Sequence, residues 1–193
     1  MMFSEIRIYF EGDDNLRPGF DQFFSEIKLR ARELRCGIRS IATGGEPERD
    51  FRTALKKHPS AWNILLRDSE VPYRSDLSRS LCEKQGWGPL HTDSIFWMVQ
   101  MMEAWFHADK DALESYYGQH FHRNALKPNP NVEEISKSDL MDGLNAATKD
   151  TPKHRYHKTR HAPALLERID PAKVRKAAPN CEQLFAAILG RLR

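Results

Sequence analysis

The strongest constraint on the fold is an alternation of strand and helix patterns in the first seventy residues. Apolar and β-branched residues predict strands over residues 6–10, 38–42 and 61–66. Helical spacing of apolar residues separates them, over residues 19–35 and 47–57. Strands that alternate with helices pair in parallel, because each helix carries the chain back across the sheet. The sequence therefore predicts an α/β fold on a mainly parallel sheet.

The rest of the chain has the pattern of one more strand followed by helices. A nearly continuous apolar run predicts a fourth strand over residues 95–101, and Met102 opens a helical pattern. Further helices are predicted over residues 111–117 and 138–147 and, broken at Pro171 and Pro179, from Ala162 onward. No change of composition divides the chain. We therefore expect a single domain, 1–193, with a core over about 5–108 and a helical elaboration over about 109–193.

Length, charge and cysteine count bound the class of protein. The chain has 193 residues, and its 30 Lys and Arg against 27 Asp and Glu give a net charge of +3. This excess permits nucleic-acid contact without arguing for it. Three scattered cysteines argue against a disulfide framework, and no run approaches the ~18 apolar residues of a membrane span. We expect a cytoplasmic protein in which Cys36, Cys82 and Cys181 are unpaired.

Carboxylates follow two of the predicted strands at the point where each strand ends. Glu11 comes directly after the first strand, and Asp68 and Glu70 follow the third. Ligands of open parallel sheets bind beyond the carboxyl ends of the strands, so these acids are expected at one edge. A cluster of like charges repels itself unless a cation neutralises it, and Mg²⁺ prefers carboxylate oxygens. The pattern predicts a Mg²⁺ or Mn²⁺ site that would serve phosphoryl transfer.

Each of these acids also has a structural interpretation that the sequence leaves open. Glu11 fits a solvated turn, Asp68 fits the N-cap of a following helix, and Glu70 fits the surface. Glu103 lies in the apolar run M-M-E-A-W-F. It is either a metal ligand or buried partner, because an isolated buried charge is costly, or a charge on the exposed face of a helix.

A basic segment over residues 149–161 is the second candidate for function. It holds three Lys, two Arg and three His, with Tyr156 placed among them to stack on a base. The alternative is a solvated loop, and the basic neighbours of the histidines argue against a zinc site. We expect Lys158 and Arg160, just before a helix from Ala162, to face the acids and to neutralise phosphate.

Several strings of this sequence resemble one known family. They are I-R-I-Y-F-E-G, L-L-R-D-S-E, F-W-M-V-Q-M-M-E-A-W-F-H-A-D, N-P-N-V-E-E-I-S-K and Y-H-K-T-R-H-A. The resemblance that they carry runs over about residues 6–178. They resemble the bacterial domain-of-unknown-function family 4276, a Toprim-like family. A strand ending in Glu-Gly, followed by one ending in Asp-x-Glu, is also similar to the Toprim fold of topoisomerases, primases and overcoming-lysogenization-defect nucleases.

The resemblance implies a Toprim-like three-layer sandwich with acids at its metal site. Glu11 would act in acid–base chemistry, and Asp68 and Glu70 would hold Mg²⁺. Lys158 and Arg160 match the K-T-R-H string of the family. Glu70 departs from the more usual aspartate, and its longer side chain changes the expected geometry.

Three functions remain open at this point. The first is a metal-dependent nuclease or phosphoryl-transfer protein that works with a separate ATPase in bacterial defence. The second is a non-catalytic Toprim-like regulator or binding partner of an ATPase or nucleic acid. The third is an enzyme that acts on a small phosphate ester. The chain contains no P-loop, GxGxxG or GxSxG motif, which argues against nucleotide hydrolysis or α/β-hydrolase chemistry within it.

Overall fold

A parallel sheet forms the centre of the molecule. Within residues 3–192, which the computed structural model describes, the sheet has four strands: β1 (Glu5–Phe10), β2 (Gly37–Ala42), β3 (Trp62–Asp68) and β4 (Ile95–Met98). Their order is β2-β1-β3-β4, and every neighbouring pair is parallel. The predicted α/β class and the predicted parallel sheet are confirmed.

Helices occupy most of the remaining chain. Their bounds are α1 (Arg17–Phe23), α2 (Ser25–Glu33), α3 (Pro47–Lys57), α4 (Leu77–Gln85), α5 (Glu103–Ala108), α6 (Lys110–Tyr117), α7 (Lys137–Thr148), α8 (Lys158–Leu166), α9 (Pro171–Ala177) and α10 (Pro179–Arg191). Proline begins α3, α9 and α10, because its fixed φ suits a helix start and its missing N–H has no partner there in any case. The predicted breaks at Pro171 and Pro179 are confirmed.

Both faces of the sheet are covered, which gives three layers. On one face, Ile8 of β1 and Ile64 of β3 pack into a hydrophobic cluster with α1, α2 and the helices after β4. On the other face, Tyr9 and Leu65 pack with Phe51 of α3 and with α4. Successive residues of a strand point to opposite faces, so β1 and β3 supply both clusters. The C-terminal helices therefore pack on the larger apolar face of the sheet.

The structure differs from the predicted elements in the first part of the chain. The helix predicted over residues 19–35 is two helices, because Phe24 leaves helical geometry at φ −93° and ψ 11°. The ring of Phe24 packs 5.6 Å from that of Phe185, between ring centroids, so the break aims an aromatic side chain into the core. Helix α4 was not predicted, because its serines and charges obscure the apolar spacing.

Two strands end at other residues than predicted. Strand β3 continues to Asp68, because Asp68 lies in register with Met98 of β4. Strand β4 stops at Met98, three residues early, and the chain passes Gln100 into α5. Asp68 is therefore a strand residue and does not cap a helix. One helix start also differs from the prediction, since α8 begins at Lys158 rather than near Ala162.

Cys36, Cys82 and Cys181 are buried and free, as expected. Trp105 lies fully inside the core. Across residues 3–192, no helix has the length and apolar character needed to cross a membrane.

Candidate functional site

The carboxyl ends of β1 and β3 meet at one edge of the sheet, and an acid stands at each. Glu11 follows β1 directly, and its backbone N–H donates to the carbonyl of Leu66 in β3 at 2.9 Å. Asp68 is the last residue of β3. Gly12 turns the chain at a φ of +135°, where an added Cβ would lie 2.5 Å from Leu16 Cδ1. The turn after Glu11 therefore requires glycine.

Asp68 is a buried carboxylate. Only 7% of its side chain is exposed, and Oδ1 accepts a hydrogen bond from the backbone N–H of Met102 at 2.9 Å. Burial raises the pKa of Asp68 to about 7; the charge of Lys158 opposes this rise, and those of Glu103 and Glu11 add to it. The ionised form of Asp68 is therefore costly to the folded protein at neutral pH.

Glu103 is the second buried acid, and it begins α5. Its side chain is fully buried, and Oε1 accepts the hydroxyl of Tyr156 at 2.8 Å. Oε2 is also buried and has no hydrogen-bond partner among the described residues. The interpretation of Glu103 as a buried partner is therefore correct, and its placement on an exposed helix face is wrong. A buried carboxylate with one unpaired oxygen is a candidate ligand for a cation.

Lys158 places its ammonium group against both buried acids. Nζ lies 3.7 Å from Asp68 Oδ2 and 3.9 Å from Glu103 Oε1. Half of the Lys158 side chain is exposed, so it reaches the acids from the surface. Burial lowers its pKa, but the charges of Glu103, Asp68, Glu11 and Glu70 outweigh burial and raise it. A single charged lysine thus lies in the field of four carboxylates.

Arg67 links Glu11 to the opposite layer. Its Nε lies 3.5 Å from Glu11 Oε2, and its guanidinium forms an ion pair with Glu48 of α3. The guanidinium also lies over the ring of Trp97, 5.8 Å from the centroid. Arg67 was not among the predicted site residues. The sequence signal for a role of Arg67 is its position directly before Asp68, in a strand whose other residues are buried.

Glu70 forms its ion pair with a lysine of α7 and has no direct contact with Asp68 or Glu103. Its φ of +62° is in the left-handed region, which a side chain larger than glycine seldom adopts. The backbone N–H donates to the carbonyl of Gln100 at 2.9 Å, and the half-exposed side chain pairs with Lys137 of α7. The turn therefore separates Glu70 from Asp68, although they are two residues apart in sequence. Lys137 was not predicted.

The basic segment meets the acids through one of its two expected residues. Lys158 reaches them, whereas Arg160 is exposed and contacts none of the four acids within residues 3–192. Lys158 and Arg160 are two positions apart in α8, which corresponds to a rotation of about 200° around the helix axis. Their side chains therefore project to different sides of the helix. Tyr156 is buried with its hydroxyl on Glu103, so the prediction that it stacks on a base is wrong.

The carboxylate oxygens of these acids fit a hard divalent cation, but the ammonium group of Lys158 lies next to two of them. Across residues 3–192, no three His, Cys, Asp or Glu side chains are grouped as ligands of one ion. Asp68 and Glu103 nevertheless present buried carboxylate oxygens to one point, which the ammonium of Lys158 approaches. Oε2 of Glu103 and Oε2 of Glu11 are both buried without a hydrogen-bond partner among the described residues, so a cation could bind either atom. An ion at this place would have to displace Lys158.

Residues 14–189 match the model of the family described as Domain of unknown function (DUF4276). The chain belongs to this family. The resemblance predicted from the quoted strings is therefore confirmed. The matched residues include Asp68, Glu103 and Lys158, and Glu11 lies just before them.

Two solved structures resemble this chain over most of its length. The C-terminal region of the Burkholderia pseudomallei OLD protein is 18% identical, covers 94% of this chain and 98% of its own, and has a TM-score of 0.48. The C-terminal region of the Xanthomonas campestris pv. campestris OLD protein, phased with platinum, is 17% identical, with coverages of 96% and 94% and a TM-score of 0.46. No curated protein is similar enough to this chain to count as a match.

Proposed function

We propose that this chain is a metal-dependent phosphoryl-transfer protein of the Toprim type, with nuclease activity on nucleic acid. The observation that carries the proposal is the meeting of Asp68 and Glu103, both buried, at the carboxyl edge of the sheet. Burial of two carboxylates beside one lysine costs stability. Functional sites are where such a cost is commonly retained.

The residues at the edge divide into two roles. Asp68, Glu103 and Glu11 would hold Mg²⁺ or Mn²⁺, and Glu70 would join them only if its turn moved away from Lys137. When bound, the ion would polarise a phosphodiester oxygen and stabilise its developing charge. Lys158, released from the acids, would then contact the phosphate oxygens with a positive charge that the fold already positions. Glu11, with its second oxygen on Arg67, would hold or accept a proton.

Exposed cations beside the site support nucleic acid as the substrate. Lys153, Arg155 and Arg160 are exposed, and none of the three pairs with a carboxylate in the described part of the chain. Unpaired surface cations in one segment are what a phosphate backbone binds. Arg160 thus has a proposed role in binding substrate rather than in contacting the acids.

Lys153 gives a test of this basic segment. Its Nζ lies 5.0 Å from the centroid of the Tyr116 ring, which holds it at the surface. Lys153→Ala is expected to weaken oligonucleotide binding and to lower the slope of log affinity against log salt by about 1, because one phosphate contact is lost. Fluorescence anisotropy in EDTA at several salt concentrations measures the slope. Lys84→Ala, an exposed lysine of α4, is the control, and an unchanged slope for Lys153→Ala would contradict the prediction.

Glu103→Gln tests the metal site directly. Glutamine keeps the acceptor for the Tyr156 hydroxyl but removes the charge, so the affinity for Mn²⁺ is expected to fall at least about tenfold. Isothermal titration of the protein with Mn²⁺ at pH 8.5 measures the affinity, and plasmid cleavage with and without EDTA measures activity. Glu114→Gln is the matched control, because Glu114 is an exposed acid that pairs with Arg123. Equal Mn²⁺ affinity in the wild type and Glu103→Gln would exclude Glu103 as a ligand.

A non-catalytic role is the second candidate, and Lys158 itself favours it. An ammonium that already neutralises Asp68 and Glu103 could stabilise the fold with no metal ion. In that case the wild type binds no Mn²⁺ and cleaves no nucleic acid, yet still binds a partner. A separate ATPase is the partner that the family resemblance implies under both proposals, together with a role in defence against phage. Co-purification of a neighbouring ATPase, with no Mn²⁺ binding, would favour this second candidate.

A further inference from the structure

Two hydrogen bonds meet at one ring nitrogen of His161, close to Lys158 at the start of α8. His161, one turn further along α8, is buried, and its Nδ1 accepts the backbone N–H of His157 at 3.1 Å. The hydroxyl of Tyr117, the last residue of α6, lies 3.0 Å from the same nitrogen. A backbone N–H can only donate, so Nδ1 carries no proton. The ring is therefore neutral with its proton on Nε2, and the Tyr117 hydroxyl is a second donor that shares the single lone pair of Nδ1.

These hydrogen bonds fix the turn from which Lys158 projects. His157 is the N-cap of α8, and the helix itself offers no acceptor for its N–H. In a capping box, a side chain of the first turn reaches back to this same N–H. His161 does so from one residue later. The flanking residues, Tyr156 and Lys158, both contact Glu103.

We propose that His161 is a positioning residue: held by Tyr117, it accepts the N–H of His157 and so directs Lys158 toward Asp68 and Glu103. The geometry stands by itself, and only its purpose rests on the proposed function. A lysine side chain is flexible, so a fixed backbone at its base narrows the positions that its ammonium can reach. His161 touches neither the acids nor the proposed substrate, and it acts through Lys158 alone.

The surroundings keep His161 in the state that this role needs. Its ring lies among three tyrosine rings, with centroids 5.5 to 6.3 Å away. Burial lowers the pKa of His161, and the charges of Arg160, His157 and Lys153 lower it further. A neutral imidazole is thus favoured at neutral pH, and only a neutral imidazole can accept the N–H of His157.

The reactivity of Lys158 provides a test that needs neither metal nor nucleic acid. Only an uncharged amine is acylated, and ion pairing keeps Lys158 charged, so its reaction is slow. His161→Phe keeps a ring but removes the acceptor, and is expected to raise the acylation rate of Lys158 about fivefold, the effect of losing one net hydrogen bond. His161→Asn, with an acceptor near the position of Nδ1, is expected to stay near the wild-type rate. Mass spectrometry of EDTA-treated protein measures the rate, with Lys84 as the internal reference.

One further variant keeps the test decisive. Should His161→Phe fail to fold, Tyr117→Phe removes one of the two hydrogen bonds and is expected to raise the rate about twofold. A folded His161→Phe protein with unchanged Lys158 reactivity would overturn the proposal. A merely structural role would lower stability without altering the rate of Lys158 relative to Lys84.

A double-mutant cycle connects this role to the proposed metal site. His161→Phe is expected to raise Mn²⁺ affinity about threefold when Lys158 is present and to leave it unchanged when Lys158 is methionine. An equal effect in both backgrounds would show that His161 does not act through Lys158. Failure of the wild type and every variant to bind Mn²⁺ would reject the proposed function, while the acylation result would still decide the role of His161.

Discussion

Replacing Asp68 with asparagine is expected to stabilise the metal-free protein by about 4 kcal/mol at pH 8. The pKa of Asp68 is about 7 in the folded protein, against an ordinary value of 3.8. The folded state therefore binds this proton more tightly than the unfolded state, and stability falls as pH rises from about 4 to 7. At roughly 1.4 kcal/mol for each tenfold change in proton affinity, the ionised carboxylate costs about 4 kcal/mol above pH 7. Asparagine removes this cost and keeps the acceptor for Met102.

Urea unfolding in EDTA at pH 5 and pH 8 measures this difference. The advantage of Asp68→Asn should shrink toward pH 5, where the folded wild type is protonated. Asp109→Asn is the matched control of opposite sign. Asp109 is also buried, but hydrogen bonds from Lys173 and from backbone N–H groups outweigh burial and lower its pKa, so its ionised form stabilises the fold. Loss of stability in Asp68→Asn at pH 8 would contradict the prediction.

Removing Lys158 is expected to move cleavage and metal affinity in opposite directions. Lys158→Ala should lower Mg²⁺-dependent cleavage by about 100-fold or more, because a fixed positive charge beside the reacting phosphate is lost. The same change should raise Mn²⁺ affinity by about tenfold, because the ion no longer displaces an ammonium group from Asp68 and Glu103. A variant that binds the metal more tightly and cleaves less would separate the two roles of the site.

The measurement has to be made where the acids are ionised. Without Lys158 the pKa of Asp68 rises further, so protons compete with Mn²⁺ near neutral pH, and titration at pH 8.5 avoids this competition. Lys84→Ala is the control for both cleavage and binding, since it is an exposed lysine on the opposite face of the sheet. Weaker Mn²⁺ binding in Lys158→Ala would mean that the lysine supports the metal site instead of competing for it.

Local patterns were enough to predict the sheet and several helix starts. The strand of β1, the helix beginning at Pro47 and the breaks at Pro171 and Pro179 follow from apolar periodicity and from the geometry of proline. The boundary between β4 and α5 was missed, because both elements lie in one continuous apolar run. In such a run the period does not distinguish a buried strand from a buried helix.

The candidate site was predictable in part, because strand ends fix where Glu11 and Asp68 lie. Glu70 could not be placed in this way, since a single left-handed residue turns it to Lys137. The burial of Tyr156 was also beyond prediction. A tyrosine within a charged segment has the pattern of a surface residue, and only the packing of α8 against α1, α5 and α6 brings its hydroxyl to Glu103.

The order in which charges emerge along the chain has a consequence for folding. Asp68 and Glu103 are synthesised well before Lys158, the residue that neutralises them. A nascent chain that formed its sheet early would hold two uncompensated carboxylates next to each other in its interior. We therefore expect the sheet and α8 to gain stability together, in a step that waits for the segment carrying Lys158 to leave the ribosome.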